Sequence, residues 1–220
     1  MDSLATYRIS DFLLFSPEAY LRLFERLNET LWPAQLGLLV VIVALLALVW
    51  RGQLRSVLAL FALAWLLVAW VFFIEHYQQI NWAAGYMAVG FALQALLLAG
   101  LAALPSGLSL TRRPFGLFLL IAGLVITPPM TLVYGLPLAA MEFFALMPDP
   151  TAIATLGLVF LMQGRARWIL LPLPLIWCLA SALTSWGLPW PPGLAAPVAA
   201  LILTAGAGIK ALVSPGTARS

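Results

Sequence analysis

The charges of this chain sit in the gaps between long apolar runs, and the gaps alternate in sign. All eight carboxylates, Asp2, Asp11, Glu18, Glu25, Glu29, Glu75, Glu142 and Asp149, fall in one set of gaps. The other set holds Arg51 and Arg55, Arg112 and Arg113, Arg165 and Arg167, then Lys210 and Arg219, which is eight of the eleven basic residues. Lysine and arginine bias in loops sets orientation in a bilayer. The pattern therefore predicts a polytopic membrane protein with its basic loops in the cytoplasm. Composition agrees: the chain is 64% hydrophobic and 9% charged, against roughly 25% charged residues in soluble domains. The net charge of +3 reflects arginine clusters suited to anionic lipid headgroups, and nothing points to nucleic acid.

A spanning helix needs about 20 mostly apolar residues. Candidate runs cover residues 32–50, 57–74, 82–104, 115–134, 151–162, 168–186 and about 193–213. The fifth is short. If it fails to cross, six spans remain and the sign alternation breaks, so about seven spans are expected. The predicted fold is an all-α polytopic transmembrane bundle over residues 32–213, with an external segment 1–31 and a cytoplasmic tail 214–220. The N-terminus then lies outside; residues 1–10 carry no recognisable signal peptide. Trp32, Trp50, Trp82, Tyr134, Trp168, Trp186 and Trp190 fall at run ends, where amphipathic rings favour the headgroup level. Trp65 and Trp177 fall inside runs and are expected to pack between helices, while Gln94 is expected to hydrogen-bond a neighbouring helix. Pro128, Pro129, Pro172, Pro174 and Pro197 should kink three of the spans.

Ahead of the first run, Ser16-Pro17-Glu18 reads as an N-cap, a proline at N1 and an acid in the first turn. Tyr20, Leu23, Phe24 and Leu27 follow on one helical face. An amphipathic interfacial helix over about residues 17–29 is predicted, lying in lipid, against the bundle, or as a docking surface for another membrane protein. Asn28-Glu29-Thr30 also matches a glycosylation sequon.

The spans carry almost no charge, and Lys210 lies late enough in the seventh to snorkel to the interface. Cys178 is the sole cysteine, so neither an intramolecular disulfide nor a cysteine-rich metal site can form. No nucleophile–base pair, phosphate loop, haem histidine pair or cofactor motif is present, so neither an enzyme nor a cofactor is expected and no catalytic residue is assigned. The acidic side is richer. Glu75, His76, Asn81, Glu142 and Asp149 form the candidate outward-facing binding set. Within it Glu75 and His76 could contribute to a divalent-cation site, or simply face water. Asp149, between Pro148 and Pro150, is expected to cap the fifth span. With residues 136–147, the break reads either as a discontinuous helix of transporter type or as a short external helix.

Three groups of strings complete the reading. They are Leu31-Trp32-Pro33-Ala34-Gln35, then Ile80-Asn81-Trp82-Ala83-Ala84, then Pro150-Thr151 through Thr155-Leu156-Gly157 to Trp168-Ile169-Leu170 and Pro172-Leu173-Pro174-Leu175-Ile176-Trp177. In this order they resemble the bacterial membrane family catalogued as domain of unknown function 6064, from about residue 11 to 213. The resemblance implies a bacterial inner-membrane setting and supplies no functional residues. Two functions are carried forward: a small permease or binding protein with an outward site, and an accessory subunit docking through the N-terminal helix.

Overall fold

A computed structural model describes residues 15–104, 107–188 and 191–213, with the side chains of the last helix through residue 207. Asp2, Asp11, Trp190, Arg219 and the Lys210 side chain lie outside the described residues, as do residues 1–14 of segment 1–31 and the whole tail 214–220.

Every predicted apolar run is helical. The elements are α1 (Pro17–Leu31), α2 (Ala34–Trp50), α3 (Leu54–Gln79), α4 (Ala84–Ala103), α5 (Pro114–Val133), α6 (Pro148–Leu161), α7 (Arg165–Gly187) and α8 (Pro191–Val213). Two-residue strands β1 (Ser109–Leu110) and β2 (Met162–Gln163) pair antiparallel. By length and composition α3, α4, α5 and α7 can cross a membrane, and α1 with α2, bent by 88° at their junction, make a fifth candidate. Outward-facing Val43, Val89, Leu96 and Ile202 are all about two-thirds exposed, an apolar surface that lipid, not water, would cover.

The centre of the bundle is α6. From Pro148 to Leu161 every residue except Phe160 is buried, and α3, α5, α7 and α8 pack around it. Glycine makes the tightest of these approaches possible. A Cβ on Gly123 would overlap the backbone of Pro150 and Ala154, one on Gly157 the backbone of Leu119 and Leu120, and one on Gly116 the Leu161 residue. Small residues let backbones meet in this way where no hydrophobic drive holds helices together in lipid.

The charge partition exists in space. The β1–β2 ladder joins two arginine-bearing connections, and Arg112 Nη2 donates to Trp50 O at 3.0 Å with its guanidinium over the Trp50 ring. At the other end the Asn28 amide donates to Ala139 O at 2.6 Å and Met141 O at 2.8 Å, fastening α1 beneath residues 134–147. That burial also removes Asn28 from use as a sequon. The aromatic face of α1 turns onto the bundle, Phe24 against Phe72 and Tyr20 against Tyr77.

One expectation is corrected. Residues 136–147 form neither a half-helix nor a short external helix; apart from a 3-10 turn, Leu138–Ala140, the chain is irregular. Pro137 stands with extended backbone just ahead of the 3-10 turn and Ala145 takes a positive φ of 67°, both unfavourable to a continuing helix. The Pro128-Pro129 pair, in turn, lies just after a π segment, Ala122–Ile126, that absorbs the disturbance within α5. The Thr127 hydroxyl lies 3.2 Å from Ala122 O and 3.0 Å from Gly123 O, serving carbonyls loosened there.

Trp65 and Gln94 behave as the sequence suggests. Gln94 Nε2 donates to Leu170 O at 3.0 Å. Trp65 is fully buried and its indole N–H donates to Thr155 Oγ1 at 2.8 Å, tying α3 to α6. Thr155→Val keeps the shape and removes the acceptor, so it should cost about 1–3 kcal/mol, with Thr155→Ser recovering most of the loss. Thermal unfolding in mild detergent measures both; a Val variant as stable as the parent removes this bond from the account.

Candidate functional site

The five acidic-side candidates divide into two groups. Glu75, His76 and Asn81 are satisfied by near neighbours in sequence. Glu75 Oε1 accepts from the Trp70 indole at 2.7 Å, His76 Nδ1 lies 2.8 Å from Val71 O, and Asn81 Oδ1 accepts from Ala83 N at 3.0 Å in the turn that opens α4. The carbonyl partner puts the His76 proton on Nδ1. Among the described residues no three His, Cys, Asp or Glu side chains gather as a metal site. Glu142 and Asp149, by contrast, line one cavity together.

Asp149 reaches that cavity because α6 starts earlier than expected. Pro148 and Pro150 both fit a first helical turn, where no N–H is required. The helix therefore begins at Pro148, with Met147 in the cap position and no side-chain cap. Asp149 is thus not a cap. It sits one residue inside and turns toward α7, where Oδ1 accepts from Trp177 Nε1 at 2.6 Å and Oδ2 from Ser181 Oγ at 2.8 Å. Thr151 does the tying that Asp149 was expected to do: its hydroxyl donates to Met147 O at 2.8 Å and accepts from Ala145 N at 3.0 Å.

Aromatic packing fixes the Trp177 donor. Its ring meets Phe73 at 5.2 Å and Phe91 at 5.3 Å, both edge-on, and Phe73 belongs to the nine-residue π segment Val68–His76 of α3. Such segments are frequent at functional sites. The other wall comes from α5, where Thr127, Thr131 and Tyr134 fall at i, i+4 and i+7 on one face, with Pro192, Ala196 and Pro197 of α8 opposite.

The cavity measures about 30 Å³, room for about two waters. Helix α6 has 14 residues, about 21 Å of rise, against a hydrocarbon core near 30 Å. Asp149 is 7% exposed. Burial and the neighbouring Asp149 carboxylate push the carboxyl of Glu142, in the connection outside the helices, well above the usual carboxylate range. The pair can accept protons or coordinate a small cationic group; the cavity by itself holds nothing bulkier.

The sequence marked Trp177 as an in-span aromatic but did not pair it with Ser181. The available signal was their i, i+4 spacing, which puts a donor pair on one face of a helix. Thr131 was missed, although it continues the face begun by Thr127.

These features define an all-α bundle, with helices apolar enough to cross a membrane, built around a buried acidic cavity. The chain belongs to a family of unknown function (DUF6064), whose model matches residues 17–207. No curated protein and no solved structure matches it.

Proposed function

We propose that the chain is a multi-pass protein of a bacterial inner membrane, a small permease or binding protein for a small cation. Its acidic end faces outward, its basic end and C-terminus face the cytoplasm, and the cation is held between Asp149 and Glu142. One observation carries this reading. A buried carboxylate, oriented by Trp177 and Ser181, shares a water-sized cavity with a second carboxyl that has no hydrogen-bond donor among the described residues. An intramembrane ionisable group of this kind marks an ion or proton path by default. Sequestering both aromatics of α1 against its own bundle leaves Arg22, Arg26 and Glu29 outward, which gives the accessory-subunit reading less support.

The test is calorimetric titration of the purified protein with ammonium and alkali cations. Asp149→Asn keeps an oxygen for the Trp177 donor and should fold normally, yet bind at least tenfold more weakly. Binding should also strengthen as pH rises. Glu142, its carboxyl raised, holds a proton above the ordinary carboxylate range; a cation favours the ionised form and must displace that proton, which is easier at higher pH. Parent-like binding by a folded Asp149→Asn, or affinity that falls as pH rises, sinks the reading.

A further inference from the structure

An apolar groove adjoins the acidic cavity. Thr127, Met130 and Ala196, which line the cavity, also line this groove of about 290 Å³ between α5 and α8. Its α5 wall includes Phe118, Ala122 and Ile126; its α8 wall is mostly alanine, including Ala199 and Ala200, with Leu203 beyond. Phe118 is 51% exposed and Ile126 42%, so the groove opens sideways onto the surface that lipid would cover. Alanines leave the space and the π segment Ala122–Ile126 shapes its other side.

Direction matters as much as shape. Along α5, Thr131 and Tyr134 lead into the cavity at the acidic end, while Phe118 lies three turns back toward the basic end. A chain lying in the groove with its head in the cavity therefore runs as a lipid tail runs, from headgroup level toward the membrane centre. Two carboxyls at the head position call for a cation. Room for about two waters admits a primary ammonium and excludes trimethylammonium or phosphate.

We propose that the cation bound by Asp149 and Glu142 is the head of a membrane-resident amphiphile, a long-chain primary amine that enters laterally between α5 and α8. This rests on the cation reading above. A primary amine is charged at neutral pH, and its three N–H donors suit the two carboxyls and the Thr131 hydroxyl. The carboxyls give the head its charge preference and the groove gives the chain its place.

The experiment follows thermal stabilisation of the full chain in a maltoside detergent by dodecylamine, butylamine, dodecanol and dodecyltrimethylammonium. Dodecylamine should reach half-effect at a concentration at least tenfold below butylamine, and dodecanol and dodecyltrimethylammonium should not stabilise. Filling the groove by Ala199→Leu, or by Leu203→Trp at its far end should one variant misfold, should abolish the advantage of the long chain and leave the butylamine response unchanged. Equal stabilisation by dodecyltrimethylammonium or dodecanol overturns the proposal, as does a long-chain advantage that survives both folded variants. If butylamine and ammonium bind but the long chain adds nothing, the cation site stands and the lateral amphiphile falls. If no amine or inorganic cation binds, the underlying site falls with it.

Discussion

Gly157→Ala should leave little folded protein. The new methyl group would overlap Leu120 N, Leu120 Cα and Leu119 C. These are backbone atoms, so no side-chain rotation relieves the overlap and α5 must move off α6. Overpacking typically costs about 1–3 kcal/mol and more where nothing can yield; here at least about 3 kcal/mol is expected, from a total near 5–15 kcal/mol for a typical fold. Gly100→Ala in α4 is the control, since a Cβ there meets nothing within 4 Å. It should be neutral or stabilising by about 0.4–1 kcal/mol. Size-exclusion profiles in mild detergent compare the two; a monodisperse Gly157→Ala with parent-like thermal stability means that the α5–α6 contact is looser than described.

That contact also explains what could and could not be read from the chain. Helix positions were legible because most apolar runs are long and are bounded by charge, glycine or proline. The role of α6 was not. A short run such as residues 151–162 looks like a marginal span by length, whereas the glycines that let it sit at the centre, Gly123 and Gly157, are indistinguishable in sequence from Gly37 or Gly100, which touch nothing. Helix pairing, set by packing in three dimensions, decides between them.

The site was half legible for a related reason. Acid content pointed to Glu142 and Asp149, which do share a cavity. The same logic gathered Glu75, His76 and Asn81, yet these find their partners within five residues. Nearness in sequence to an apolar boundary is evidence of exposure to an interface, not of convergence. The partners that orient Asp149 lie 28 and 32 residues away, and only the packing of α6 on α7 brings them to it. Pro148 and Pro150, on either side of Asp149, hid the start of α6, so a cap was expected where a buried acceptor stands.

Asp149→Ala is expected to be the most costly change within the cavity, and Trp177→Phe separates its causes. Removing the carboxylate strands the Trp177 N–H and the Ser181 hydroxyl, each worth about 1–3 kcal/mol when buried without a partner. Ser181 has an escape, because a hydroxyl in a helix can turn to the carbonyl one turn earlier. The indole has none, its ring being held against Phe73 and Phe91. Relief of the desolvated carboxylate offsets part of the loss, which leaves a net cost of about 2–4 kcal/mol. Trp177→Phe keeps the aromatic contacts and deletes one bond to a charged acceptor, about 1.5–3 kcal/mol. In the double variant the stranded indole no longer exists, so its cost should fall short of the sum of the single costs by about 1–3 kcal/mol, the range for residues in direct contact. Thermal and denaturant unfolding of the four proteins in one detergent gives the coupling. Strict additivity would mean that the 2.6 Å contact between Trp177 and Asp149 contributes no energy. The orientation of the carboxylate would then rest on Ser181 and the packing of α6 alone.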